Sequence, residues 1–343
     1  MRLFSVAVCT GVAVALLAGC SGTGSSPSNS SIMPGGASKI SQLGHHGTPL
    51  MAAIPKFLHV RQQGHIRYMA APKGLYAQQF LSTTASVQGY AKNNSGNGPP
   101  TCAIGSGTNV NGFGVDRAGE VIVPAAFNGI QIYTGTGGCG TLSATIPDSF
   151  GQAADGAAQN AATGTIVVGH ANGTVAACTV SGTGGSCTSL TTLSGFVQVA
   201  MDNSGNCWAT STSSGLYYFA GCAGSGTAQS GFGAGSGGLD IDNAGNIVAT
   251  SQGAPSTVTV YHCASNSCSI VTGPTNLNGS GDAVYCHLGR QNERLACGDA
   301  STGAVDVYSY LPTRTPSYMY SFTNGLFASN IVEAAAYSPS SPR

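Results

Sequence analysis

Asp240-Ile241-Asp242-Asn243-Ala244-Gly245-Asn246-Ile247-Val248-Ala249 decides the fold. A short apolar strand enters a polar turn and a second apolar strand leaves it. Asp or Asn caps such a turn through its side chain, and Gly supplies the positive φ that closes a short hairpin. The phrase recurs as Gly114-Val115-Asp116-Arg117-Ala118-Gly119-Glu120-Val121-Ile122-Val123 and as Ala200-Met201-Asp202-Asn203-Ser204-Gly205-Asn206-Cys207-Trp208-Ala209. Looser copies run from Ala158 to Val168 and from Val284-Tyr285-Cys286-His287 to Leu295-Ala296. The copies start roughly 40–45 residues apart.

Each hairpin is followed by a third strand, as in Gly129-Ile130-Gln131-Ile132-Tyr133, Gly173-Thr174-Val175-Ala176, Gly215-Leu216-Tyr217-Tyr218-Phe219, Thr257-Val258-Thr259-Val260-Tyr261 and Ala304-Val305-Asp306-Val307-Tyr308. A weaker fourth strand comes next. That period with an all-β texture is the mark of β-propeller blades, and five of them fit between residues 110 and 325. Two complementary fragments remain. Residues 74–104 hold Gly74-Leu75-Tyr76-Ala77-Gln78, Ser86-Val87-Gln88-Gly89-Tyr90 and Cys102-Ala103-Ile104, which match the second, third and fourth strands of a blade without its first. Ile331–Tyr337 near the C-terminus has the length and apolar character of a first strand. Joined, they predict a sixth blade closed by both ends of the chain, which removes exposed strand edges. The fold expected is therefore all-β, a six-bladed propeller over 73–338 with a short tail at 339–343.

The Asp-Asn-x-Gly-Asn phrase superficially suggests a calcium loop, but it lacks the further carboxylates and the distal Glu that such a loop needs. A turn-capping role is the reading it supports.

The N-terminus opens on Met1-Arg2-Leu3-Phe4 and an apolar run through Leu17, too short for a comfortable membrane span and typical of a signal peptide. It ends in Leu17-Ala18-Gly19-Cys20, which closely resembles the lipobox of bacterial lipoproteins. That resemblance implies a signal peptide over 1–19, cleavage before Cys20 and acylation of its thiol. Ser21 in place of Asp implies sorting onward to an outer membrane if the cell has one. Residues 21–48 are rich in Ser, Gly, Pro and Asn and cannot bury enough surface to fold. A flexible tether of about 28 residues reaches about 30 Å. Residues 20–72 are thus expected to be a lipidated tether and stem, placing the chain at the cell envelope with the membrane as its partner through the lipid.

Twelve basic and twelve acidic residues in 343 give 7% charged residues, against about 25% in ordinary domains. No acid precedes Asp116, whereas Lys39, Lys56, Arg61, Arg67, Lys73 and Lys92 do. A basic stem could lie on an anionic membrane or cell wall, but a solvated linker with scattered charges is the preferred reading. A charge-poor exported chain is a poor nucleic-acid binder. With Cys9 in the signal and Cys20 lipidated, ten cysteines remain, an even number that reads as disulfides in an exported chain. They show no C-x-x-C spacing, which argues against zinc. Cys178–Cys187, Cys207–Cys222, Cys263–Cys268 and Cys286–Cys297 each bracket a turn between consecutive strands, which leaves Cys102 and Cys139 to pair by elimination.

The hairpins and their period resemble those of NHL-type and SMP-30/gluconolactonase-like six-bladed propellers, including bacterial lipoproteins built from them. The lactonases among them hold a divalent metal in the central channel with Glu, Asn and Asp from inner strands. Of the three Glu here, Glu120 and Glu293 fall in hairpin turns, while Glu333 lies on the closing inner strand and Asp240 on another. Glu333 and Asp240 are the weak metal candidates that the resemblance allows. No cofactor is called for. Asp155 and Asp282 precede inner strands. His170 and Asn172 fall in the loop between second and third strands, and Phe127 and Asn128 fall in the corresponding loop of an earlier blade. These six are the candidates for a ligand face. No Gly-x-Ser-x-Gly elbow, phosphate loop or dinucleotide fingerprint is present. The expected role is a binding or scaffold module for a glycan or protein partner, with Tyr217, Tyr218 and Phe219 as aromatic candidates. The alternative is a metal-dependent lactonase or lyase on the same fold.

Overall fold

The computed structural model describes residues 58–60, 66–68, 74–79, 87–104, 112–326 apart from short gaps, and 332–338. The segments expected to be a signal peptide, a lipobox and a tether, and the tail at 339–343, lie outside the described residues. Within the segment read as stem, Leu58–Val60 and Ile66–Tyr68 pair antiparallel.

Among the described residues, six antiparallel four-stranded sheets form a ring, a six-bladed β-propeller. Blade I combines Val332–Ser338 with Gly74–Gln79, Val87–Ala91 and Cys102–Ile104. Blade II is Gly114–Val115, Val121–Ala125, Gly129–Thr134 and Thr141–Ile146. Blade III is Ala154–Asn160, Thr165–His170, Thr174–Ser181 and Gly184–Thr192. Blade IV is Val197–Met201, Cys207–Ser211, Gly215–Phe219 and Thr227–Gln229. Blade V is Gly238–Ile241, Ile247–Ser251, Thr257–Ala264 and Ser267–Asn276. Blade VI is Ala283–Leu288, Arg294–Asp299, Ala304–Ser309 and Ser317–Phe322.

Blade I is completed as the two fragments require. Ala336 pairs with Tyr76 and Ser338 with Gly74, so the C-terminal strand supplies the inner edge that the N-terminal fragment lacks. Its other edge touches blade VI through a parallel contact, Cys286 with Ala335.

The core lies between blades rather than within them. Successive residues of a strand point to opposite faces. Ile166 and Val168 of blade III therefore pack with Ile122, Ile130, Ile132 and Ile146 of blade II, while Val167 packs with Val197, Val199 and Phe219 of blade IV. This is why second strands read as unbroken apolar runs: both faces are buried. Tyr285, at a bulge in blade VI and with φ +44, joins a cluster with Tyr76 of blade I and Phe113 of blade II.

The hairpins form as their sequence dictates. Asp242 Oδ1 accepts the Ala244 and Asn246 backbone N–H groups, each at 2.9 Å, and Asn246 Nδ2 donates to Asp242 Oδ2 at 2.9 Å. Asp202 repeats the pattern with Ser204 and Asn206. Gly205 and Gly245 both have φ +81, where a side chain would be strained.

Four disulfides connect Cys178–Cys187, Cys207–Cys222, Cys263–Cys268 and Cys286–Cys297, all within single blades. Cys178 stands directly opposite Cys187, and Cys263 opposite Cys268, in their strand registers. Cys102 is disulfide-bonded as well, and the expected partner, Cys139, lies outside the described residues.

Candidate functional site

Antiparallel blades put two kinds of connection on opposite faces of the ring. The first-to-second turns, with their Asp-x-x-Gly-Asn phrases, share one face with the third-to-fourth turns. The second-to-third turns and the blade-to-blade connections share the other, the loop face.

At blade III the loop face is built on a pair, a buried histidine and a partly buried aspartate. His170 is the last residue of the second strand, not a residue of the solvated loop its flanking glycines suggest, and its side chain is fully buried. Its Nε2 lies 2.8 Å from Asp148 Oδ2, in the connection from blade II, and its Nδ1 lies 3.0 Å from the Thr174 carbonyl oxygen. Both ring nitrogens thus face oxygen atoms. Partial burial pushes the Asp148 carboxyl up. The hydrogen bond from His170, its charge and the Phe150 N–H outweigh that and hold the carboxyl below its ordinary value.

The pair fixes the surface above it. Phe150 N–H donates to Asp148 Oδ1 at 3.1 Å, and the Phe150 ring meets His170 edge to face at 5.7 Å. Asn172 donates from Nδ2 to the Phe150 carbonyl at 3.2 Å and accepts the Thr174 N–H on Oδ1 at 3.0 Å, while remaining exposed. Leu193 N–H donates to the Gly173 carbonyl, and the connection onward to blade IV displays Phe196 at 55% exposure. The Ser194 N–H donates to Ser214 Oγ in the neighbouring turn of blade IV. Asp148, Phe150, His170, Asn172 and Phe196 therefore follow one another around this sector. With both nitrogens of His170 occupied and the ring buried, the arrangement positions loops and offers no free base.

Asp282 also lies on the loop face, between blades V and VI, where its Oδ1 accepts the Gly253 N–H at 3.4 Å. Next to it Asp299 closes the second strand of blade VI, as His170 closes that of blade III. Asp155 falls inside the inner strand Ala154–Asn160 rather than before it. Phe127 and Asn128 lie outside the described residues, and so do the side chains of Asp155 and Glu333, although Glu333 falls on the closing strand Val332–Ser338. Tyr217, Tyr218 and Phe219 belong to the third strand of blade IV: Phe219 is fully buried, and Tyr218 packs on Trp208 at 4.7 Å. They are blade packing, which takes them off the loop face.

Asp240 stands near the opposite face, two residues before the hairpin Asp242. Its Oδ1 accepts the Ile241 N–H at 2.7 Å and its Oδ2 the Leu288 N–H at 2.6 Å, with His287 Nδ1 3.6 Å away. Among the described residues no three His, Cys, Asp or Glu side chains converge on a point that could hold an ion. Both oxygens of Asp240 thus accept backbone N–H groups.

The sequence reading missed Asp148 and Phe150. They lie 22 and 20 residues before His170, in the connection between two blades, and no motif links them to it. Their partnership follows from the packing of blade II against blade III.

These features define the class as a six-bladed β-propeller with a hydrogen-bonded loop face. No protein-family model matches the chain, and no curated protein matches it. It is similar to a propeller in a nidogen/laminin complex (TM-score 0.55, 13% identity, covering 78% of this chain and 98% of that one). It is also similar to a proposed 6-phosphogluconolactonase from Bacteroides uniformis (TM-score 0.54, 11% identity, 74% and 84% covered) and to a protein of unknown function from Bacteroides caccae (0.53, 12%, 78% and 99%). At these identities the likeness is one of fold.

Proposed function

We propose that this chain is an exported, lipid-anchored protein that holds a β-propeller at the cell envelope and uses its loop face to bind a glycan or protein partner. The carrying observation is the sector around blade III. The bond between buried His170 and partly buried Asp148 fixes two connections in place, and Asn172 and Phe196 are left at the surface above it. Rigid loops lose little entropy on binding, which favours affinity. The lipobox ending in Cys20 supports the anchor, since two or three acyl chains hold stably where one does not. A propeller of this fold takes part in a protein–protein assembly in the nidogen/laminin complex.

Two measurements test the reading. Wild-type protein should enter the detergent phase with the added mass of a lipid, and Cys20→Ala should be released or left unprocessed. A Cys20→Ala protein that stays in the membrane at the normal mature mass would refute the anchor. Detergent-solubilised full-length protein on a glycan array and in an envelope pull-down should retain a ligand that Phe196→Ala loses at least about ten-fold, with unchanged melting. Retention of the same ligand by Phe196→Ala would move the binding surface elsewhere. A stoichiometric metal that survives dialysis would favour the lactonase or lyase alternative instead.

A further inference from the structure

Asp299 is fully buried and holds together two segments of the loop face. It accepts backbone N–H groups from Gly281 at 2.8 Å, Ser301 at 2.8 Å, Thr302 at 3.1 Å and Asp282 at 3.3 Å. It also accepts the hydroxyls of Ser301 at 2.7 Å and Ser280 at 3.3 Å. The connection from blade V and the turn inside blade VI are thus tied through one carboxylate.

Behind it sits a second acid that the binding surface does not use. Asp306, 1% exposed, lies on the third strand, opposite Cys297 and Ser321. Its carboxyl is within hydrogen-bonding reach of Asp299 and Ser280, and its Oδ2 has no partner among the described residues. Tyr308 on the same strand is a further titratable neighbour, Tyr318 on the fourth strand packs against Tyr308, and Asp282 on the connection bonds to Asp299 through its backbone N–H. Blade V packs on this side through Val258, Val260 and Leu277, and Tyr90 and Tyr320 belong to the cluster on the blade I side. Asp306 therefore faces Asp299, the Ser280 hydroxyl and Tyr308, with apolar packing from blade V beyond them.

We infer that Asp299 and Asp306 share one proton, and that this proton locks the loops at residues 280–282 and 301–302, so that blade VI's part of the loop face opens as the pH rises. The lock stands independently of what the face binds. Burial pushes Asp299 up, but its donors outweigh that and bring it to about 2, while burial and then the Asp299 charge push Asp306 up to about 7. Between those values the pair holds a single proton. Once Asp306 ionises, its charge sits beside Asp299 on an oxygen with no donor, and opening to water relieves it. The ordinary carboxyl value of 3.8 applies to the open state, so the contribution of Asp306 is lost as the pH rises from there through its closed-state value, while that of Asp299, whose carboxyl is lowered, fades only as the pH falls below 3.8. Opening should grow about a hundred-fold between about pH 5 and pH 8.

Hydrogen exchange on the full-length protein, corrected for intrinsic rates, reads this directly. The amides of Gly281, Ser301 and Thr302 should lose protection by that factor while those of Gly215–Phe219 in blade IV do not. In Asp306→Asn, which keeps the shape of the neutral acid, protection should be flat with pH. Should that variant fold poorly, carboxyl-carbon NMR of the unmutated protein should show one carboxyl titrating near neutrality, with the Gly281 amide shifting in step. The same pH slope in both proteins, or no carboxyl titrating between about pH 5.5 and 8.5, would overturn the inference.

Discussion

Asp202 and Asp242 occupy the same position of the repeat, and removing each should cost very different amounts. Asp202 is half-exposed and bonds within its own turn, to the Ser204 and Asn206 N–H groups and to Asn206 Nδ2. Replacing it with Ala removes a turn cap, worth about 1–2 kcal/mol by analogy with helix caps. Asp242 makes the same bonds within its turn and is 1% exposed. Its Oδ2 also accepts from Tyr310 O–H at 3.2 Å and from Arg314 Nε at 2.9 Å, both in blade VI. Asp242→Ala would leave the buried Tyr310 hydroxyl without an acceptor, about 1–3 kcal/mol. It would also break a half-exposed ion pair, about 1 kcal/mol after solvent screening. The expected total is about 3–6 kcal/mol, some 2–4 more than for Asp202→Ala. Denaturant unfolding of the oxidised proteins measures both. Adding Tyr310→Phe to Asp242→Ala should recover about 1 kcal/mol by removing the orphaned hydroxyl. Burial raises the Asp242 carboxyl, but hydrogen bonds from Asn246, Arg314 and Ala244 hold it below its ordinary value. Its contribution is therefore present above that value and fades as the pH falls through the native one, so the gap between the variants should narrow in acid. Equal losses at neutral pH, or a gap that widens in acid, would refute the assignment of Asp242 as the tie between blades V and VI.

Two further expectations concern closure of the chain. Cys207 and Cys222 are 15 residues apart and Cys263 and Cys268 only 5, so removing the first bridge should cost about 3 kcal/mol and the second about 2 on the chain-entropy scale. Paired Cys→Ala variants measured by unfolding test the order, and a reversed ranking would show that packing dominates. Ending the chain after Ser338 should be tolerated, whereas ending it after Ser329 removes the inner strand of blade I and should abolish soluble folding. A Ser329-terminated chain that melts cooperatively at the parent temperature would show that the ring closes another way.

The repeat itself carried the fold. A turn of Asp, Gly and Asn between apolar strands acts locally, through side-chain caps and a positive φ, so Asp242–Asn246 could be read without knowing what lies beside it. The period counted the blades, and the missing first strand of residues 74–104 found its match at the other end of the chain because strand pairing demands an edge. Turn-bracketing cysteines were legible for the same reason: a bridge across one hairpin needs only local geometry. Contacts between blades were not legible. His170 reads as a loop residue between glycines, and only the packing of blade II brings Asp148 to it and buries it. Asp299 and Asp306 stand on neighbouring strands of one blade, yet what couples them is burial under a connection from blade V, which no local pattern records. Asp202 and Asp242 are identical in the sequence's own terms, and burial beside Tyr310 and Arg314 distinguishes Asp242. The sequence by itself determined the blades, their turns and the number that closes a ring. Tertiary structure decided which polar residues are brought against one another, because each blade places its faces against neighbours distant along the chain, 22 residues away for Asp148 and His170 and 72 for Asp242 and Arg314.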